Sequence, residues 1–242
     1  MRTLITICAR GGSKGIPGKN IRPLNGRPLL HYTVATARAY AARAGQTDVE
    51  LSTDSDEIRE VAAAAGLTTA YRRPPALGTD SAGKIDAIAD LKRYAEAHYG
   101  RSYDLVIDLD VTSPLRTVAD LEAAQKQLAD QPEALNIFSV SPANRNPYFN
   151  MVEERPDGYV DLAKRPDQPF LTRQSAPNVY DMNASFYLFR AAFFERNERS
   201  SITARSLAYV VPHACFDLDH PLDFEIMDFL LREGKLDLEL CT

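Results

Sequence analysis

TLITICARGGSKGIPGKN, residues Thr3 to Asn20, runs from a short β-branched stretch straight into a loop crowded with glycines and cations. Thr3 to Cys8 has the composition of a buried strand opening an α/β domain. Pro28 to Arg43 (PLLHYTVATARAYAAR) follows with apolar residues at helical spacing, Pro28 near a first-turn position and Gly45 just past the end. Strand, glycine-rich loop and helix in that order start a βα unit. Its loop lies at the carboxyl end of the strand, where such folds place ligands.

Outward from this unit the alternation repeats. Val49 to Ser52 reads as a second strand, and Asp54 or Ser55 can cap a helix that runs to about Ala65 and ends at Gly66. Thr68 to Tyr71 is expected to be a third strand and Lys84 to His98 a third helix. Leu105 to Leu109 (LVIDL) reads as a central strand, Val118 to Ala129 as a helix, and Ile137 to Val140 as another strand. Repeated βα units with short connections imply a doubly wound, mostly parallel sheet covered by helices. The pattern breaks after Pro142: six prolines fall within residues 142–180, among polar and aromatic residues. That stretch is expected to be an irregular insertion with hairpin-like pieces, an arm or lid. Strand signals return at Ser185 to Phe189 and Ala208 to Val211, and a helix from Leu222 to Arg232 closes a single domain spanning residues 1–242.

The composition is that of a soluble chain with a core, 45% hydrophobic and 25% charged. No apolar run approaches the roughly 18 residues needed to span a membrane, and MRTLITICARGG lacks a small-residue cleavage site, so a cytoplasmic protein is expected. Cys8, Cys215 and Cys241 are too scattered for a disulfide framework or a zinc site. The net charge is −5, yet the first 47 residues hold eight basic residues and no acidic one. A basic segment in an acidic chain points to a local anion site and away from a nucleic-acid surface.

The loop from Ala9 to Asn20 fits that anion site. Gly11, Gly12 and Gly15 let backbone N–H groups approach a phosphate, while Arg10, Lys14 and Lys19 supply charge. Gly18-Lys19 has Ser13 where a Walker loop needs glycine, and no G-x-G-x-x-G occurs. By composition and spacing the alternative remains a structural turn with solvated cations. Late in the chain, Asp217 and Asp219 form a D-x-D pair of hard oxygen donors. Asp108 and Asp110 offer the same spacing on an expected strand.

Five ordered blocks extend the argument. ARGGSKGIPGKNIRPLNGRPLL resembles the signature of the cytidylyltransferases that make CMP-sialic acid and related CMP-nonulosonates. STDSDEI (Ser52 to Ile58), RRPPALGTDSA (Arg72 to Ala82), TSPLR (Thr112 to Arg116) with TRQSAPNVYDMNASFYLF (Thr172 to Phe189), and DLDHPLD (Asp217 to Asp223) follow in the order found in that family. Asp110 stands where many sialic acid enzymes have glutamine, and Asp181 to Ala184 replaces Arg-Pro-Asn-Gly, keeping only Asn183. With Asn144 to Asn150, Thr172 to Pro177 and Tyr180 to Ser185, these features look like the bacterial enzymes that activate legionaminic acid.

The resemblance implies a Rossmann-like nucleotidyltransferase fold with a protruding dimerisation insertion at residues 142–180, and a homodimer whose arm completes the neighbour's sugar site. It implies that Arg10, Gly11, Gly12, Ser13, Lys14 and Lys19 hold the triphosphate of CTP, with Asn20 and Arg73 near cytosine and ribose. Asp217 and Asp219 would coordinate Mg²⁺, and Lys19, Arg10 and Asp219 would carry the catalytic charge. Asp110, Arg173, Gln174 and Asn183 would meet a nine-carbon 2-keto sugar acid, with neither nucleic acid nor membrane as partner. N-acetylneuraminate or another sugar acid stays open as the acceptor. A GT-A-type glycosyltransferase and a non-catalytic nucleotide-binding regulator stay open as other classes.

Overall fold

The computed structural model describes residues 1–12, 15–79, 82–168, 170 and 172–241, without the side chain of Arg173. Ser13, Lys14 and the Arg173 side chain, all expected in the site, therefore lie outside the described residues, as do Asp80 and Ser81 of the second-quarter block. In chain order the elements are β1 (Thr3–Cys8), β2 (Pro23–Leu24), β3 (Arg27–Pro28), α1 (Leu29–Ala44), β4 (Thr47–Ser52), α2 (Asp56–Ala64), α3 (Lys84–Tyr99) and β5 (Leu105–Leu109). They continue as α4 (Val118–Ala129), β6 (Asn136–Pro142), β7 (Val152–Glu154), β8 (Val160–Leu162), β9 (Tyr180–Arg190), α5 (Ala191–Glu195), β10 (Ser206–Val210) and α6 (Pro221–Arg232).

The chain forms two compact units, Met1–Ser139 with Asn183–Thr242, and Val140–Met182. The first is an α/β domain around a six-stranded sheet in the order β10-β6-β9-β5-β1-β4. β1 pairs in parallel with both β4 and β5, whereas β9 runs antiparallel to β5. Side chains alternate across each strand. Ile5, Ile7, Leu105, Ile107 and Leu109 join the main core with Leu30, Val34 and Ala37 of α1 and Leu121 and Ala124 of α4. The intervening Leu4, Thr6, Val106 and Asp108 are also buried, and they belong to the opposite face, where α3 packs over β1 and β4. Both faces are covered, which is why these strands read as continuous apolar runs.

Caps fix the helix ends. Ser55, not Asp54, caps α2 by accepting the Ile58 N–H at 3.3 Å. Thr117 and Asp120 make a reciprocal capping box at the start of α4. Thr68 to Tyr71, expected as a strand, is not one. The Arg59 guanidinium donates to the carbonyls of Thr69 and Tyr71 at 2.9 and 2.8 Å, occupying groups that a ladder would need. A small hairpin of β2 and β3 turns at Asn25-Gly26, both at positive φ as a type I′ turn requires, and the Asn25 N–H donates to Asp228 of α6 at 2.7 Å.

The second unit holds the β7–β8 hairpin, closed by a turn in which the Arg155 N–H donates to the Tyr159 carbonyl. Asn146 organises the preceding loop: its carboxamide oxygen accepts the Tyr148 N–H, and its own N–H donates to Asn150. Met151, Val152, Tyr159 and Val160 are exposed.

Candidate active site

A cavity of about 290 Å³ opens at the carboxyl ends of β1 and β5 and the start of α3, lined by Arg10, Gly12, Lys19, Asn20, Arg73 and Asp110 among others. Six residues expected from the sequence thus converge on one space. The loop after β1 is held from three sides. Asp54 accepts the Gly11 N–H at 2.8 Å, and the Asn20 carboxamide donates to the Arg10 carbonyl at 2.9 Å. A Cβ on Gly11 would stand 3.0 Å from Ser55 Cβ, and one on Gly15 would stand 3.1 Å from the Asp219 carbonyl oxygen. Backbone approach this close is what those two glycines permit. Gly12 faces open space in the cavity.

Arg73 is buried and fixed against β4, its Nε donating to Ser52 Oγ at 2.8 Å and its Nη2 to the Ser52 carbonyl at 2.9 Å. Lys19 Nζ donates to Asp219 Oδ1 at 3.1 Å, which ties the first loop to the late acidic segment. That segment is anchored in turn where the Leu218 N–H donates to the Thr112 carbonyl at 2.8 Å. Asp223 accepts the N–H groups of Asp219 and His220 at 2.9 and 2.6 Å and so caps α6. Burial and the like charge of Asp219 raise Asp217 above the usual carboxylate range, the mark of two acids held close together.

That pair fits a hard divalent cation: two carboxylate oxygens with mutual repulsion for a cation to relieve. Among the described residues no group of three or more His, Cys, Asp or Glu side chains could hold a metal. The remaining coordination positions would fall to phosphate oxygens and water.

Three functional positions escape sequence reasoning. Lys84, the first residue of α3, places Nζ 3.0 Å from Asp108 Oδ2 and 2.8 Å from Asp110 Oδ2, and 4.6 Å from the Tyr187 ring centroid. Asp108 is fully buried and accepts the Thr6 hydroxyl at 2.8 Å, so its D-x-D spacing with Asp110 serves the fold and this ion pair. Against the opposing effect of burial, Lys84 and the Thr112 N–H and hydroxyl hold Asp110 down to about 2. The two carboxylates likewise keep Lys84 well above its ordinary value despite burial. Arg116, fully buried, lies within 2.8 Å of the carbonyls of Asp110, Ser113 and Ser185 and donates to Thr33 Oγ1, fixing the turn after β5. Asp54 is the third, as the anchor of Gly11. Arg116 and Asp54 fall within the TSPLR and STDSDEI blocks, which assign them no role, and no spacing marks Lys84.

Within the first unit, Asn183 is not among the residues that line the cavity. Asn183 is buried at the head of β9, its oxygen accepting the Ser185 N–H at 3.3 Å. Gln174 belongs to the second unit, in a short 3-10 turn, Arg173–Ser175. Asp181, in the same unit, accepts the Asn144 N–H at 3.4 Å. Cys8 lines the cavity, but burial and Asp108 push its thiol far up, leaving it inert.

The chain matches the family described as Cytidylyltransferase over residues 4–233. It is 38% identical to post-translational flagellin modification protein B of Campylobacter coli, over 96% of both chains. It is 36% identical to the CMP-N,N'-diacetyllegionaminic acid synthase of Campylobacter jejuni, again over 96% of both. Among solved structures it shares the fold of a CMP:2-keto-3-deoxy-manno-octonic acid synthetase complexed with CTP, at a TM-score of 0.66 and 18% identity, covering 97% of this chain and 100% of the other.

Proposed function

Because the chain belongs to the cytidylyltransferase family, we propose that it transfers CMP from CTP to the anomeric hydroxyl of a nonulosonic acid, with legionaminic acid or a derivative as the acceptor, releasing pyrophosphate. The observation that carries this reading is the full-length kinship with a CMP-N,N'-diacetyllegionaminic acid synthase. The cavity supports it. The lining gathers Arg10, Lys19, Arg73 and the loop backbone, a counterpart for the roughly four negative charges of CTP, together with Asp110.

In this reading Lys19 and Arg10 hold the triphosphate and stabilise the charge that grows on the pyrophosphate as it leaves. Asn20 fixes the loop through the Arg10 carbonyl, and Arg73 stands on Ser52 as the wall of the nucleoside pocket. Asp217 and Asp219 would hold Mg²⁺, which supplies charge neutralisation at the phosphates and lowers the pKa of the attacking hydroxyl. Ser13 and Lys14 complete the phosphate loop, and Arg173, Gln174 and Asn183 complete the acceptor side. The Val140–Met182 unit, with its exposed apolar residues, is proposed as the contact of a cytoplasmic homodimer.

The test is a CTP-dependent screen of neuraminic, legionaminic, pseudaminic and Kdo-type acids, read by pyrophosphate release. Turnover of legionaminic acids is expected; turnover of the Kdo-type acid alone overturns the acceptor. A glycosyltransferase would release no pyrophosphate. Asp219→Asn is expected to lose the Mg²⁺-dependent rate by about 100-fold or more, and full retained activity sinks the metal assignment.

A further inference from the structure

Lys84 lies in the same cavity as the cations of the phosphate loop, yet its surroundings give it a different part. A lysine as the first residue of α3 opposes the helix dipole, so its placement requires a compensating partner. It has two: Asp108, which is fully buried, and Asp110, which is partly open to the cavity. One cation between two carboxylates leaves the group with a net negative charge. The charge of Lys84 is thus already compensated within the protein. Asp110 is fully constrained: Oδ1 accepts the Thr112 N–H and hydroxyl, each at 2.8 Å, and Oδ2 accepts Lys84. An ionised carboxylate held this way can accept further hydrogen bonds and can donate none.

We propose that Lys84 is a positioning residue for acceptor specificity: it fixes ionised Asp110 as a pure hydrogen-bond acceptor in the lining of the cavity. This inference rests on the CMP-transfer reading above. The acceptor must present a donor there, a hydroxyl or an N-acyl N–H, and must turn its carboxylate elsewhere. An amide at position 110 could donate and accept; the Asp110–Lys84 pair removes that ambiguity and so narrows the sugars that fit.

Steady-state pyrophosphate release, with CTP affinity from calorimetry, tests this on the full-length enzyme. Lys84→Met alone would strand the buried Asp108 charge, so it is combined with Asp108→Asn. The expected result is a KM for the sugar acid raised about 10- to 100-fold, the scale of a lost hydrogen bond to a charged group. CTP affinity should be unchanged, and Lys84→Arg should recover most of the loss. Asp110→Asn, which keeps the Lys84–Asp108 pair, is expected to raise the same KM. It should also stop discriminating between the acceptor and the mono-deoxy analogue that wild type rejects. CTP affinity falling in step with the sugar KM would make Lys84 a nucleotide ligand and overturn the proposal, as would an unchanged sugar KM in both variants. CTP binding by wild type with no turnover of any sugar acid would be a different outcome, the fall of the CMP-transfer reading itself.

Discussion

Lys19 and Asp219 pair at 3.1 Å, each occupying the charge that the other would present to a triphosphate or a cation. In the proposed reading, CTP and its cation would exchange this ion pair for contacts of their own. Lys19→Met should lower kcat/KM by about 10²–10³, the cost of removing one preorganised charge from a developing anion, with the far-ultraviolet dichroism unchanged. Asp54 acts at one remove, through Gly11. Asp54→Ala is expected to raise the KM for CTP about tenfold, the worth of a hydrogen bond with a charged acceptor. Because Asp54 bonds the loop at Gly11 and packs against Gly78, neither of which is assigned to the sugar, the KM for the sugar should stay put. At this scale legibility follows chemistry. A glycine-and-cation loop and a D-x-D pair announce themselves because phosphates and divalent ions demand particular residue types close in sequence. Lys84 and Asp108 meet only because α3 crosses the face of the sheet that carries Thr6 and Asp108, a juxtaposition that no spacing along the chain encodes.

The elements with strong local signals were legible almost to the residue. TLITIC is β1, and α4 covers Val118–Ala129 as its capping box and apolar spacing dictate. Thr68 to Tyr71 had the composition of a strand, but Arg59 on α2 competed for its carbonyls, a tertiary effect that propensity does not contain. At α4 the capping Asp120 does double duty, accepting His213 Nε2 at 2.9 Å and the Tyr209 hydroxyl at 3.1 Å. Burial disfavours the imidazolium, yet Asp120, the Ala214 carbonyl and Asp237 outweigh it and raise His213 above its ordinary 6.5. A group raised on folding stabilises fully below its unfolded value and loses that contribution as the pH climbs through its folded value. Thermal melts of wild type should therefore fall from pH 6 to pH 8 relative to His213→Gln, whose melting temperature should be flatter across that window. Parallel curves would remove His213 from the pH response.

For the whole molecule, alternation of strands and helices predicted the α/β domain, and the prolines of residues 142–180 marked where it breaks, near the Val140–Met182 unit. The hairpin in that unit was anticipated only as pieces, because three-residue strands carry too few positions to show alternation. Tyr159 and Val160, 69% and 62% exposed, are the residues to alter if this unit makes the dimer. A Tyr159→Glu, Val160→Lys protein should sediment as a monomer, bind CTP with wild-type affinity and lose turnover of the sugar acid. A dimer that persists places the interface elsewhere.

The tie between Lys19 and Asp219, with Gly15 against the Asp219 carbonyl and Asn25 bonded to Asp228, joins the first 25 residues to a segment about 200 positions later. During synthesis, β1, β4 and β5 can pair once residue 109 has left the ribosome. The glycine-rich loop has to wait for Asp219 to complete its contacts. A nascent chain stalled before Asp217 would carry this loop held by Asp54 and Asn20 but without its tie to Asp219. In the proposed reading, activity would therefore appear only after the Asp217–Asp219 segment has joined the loop.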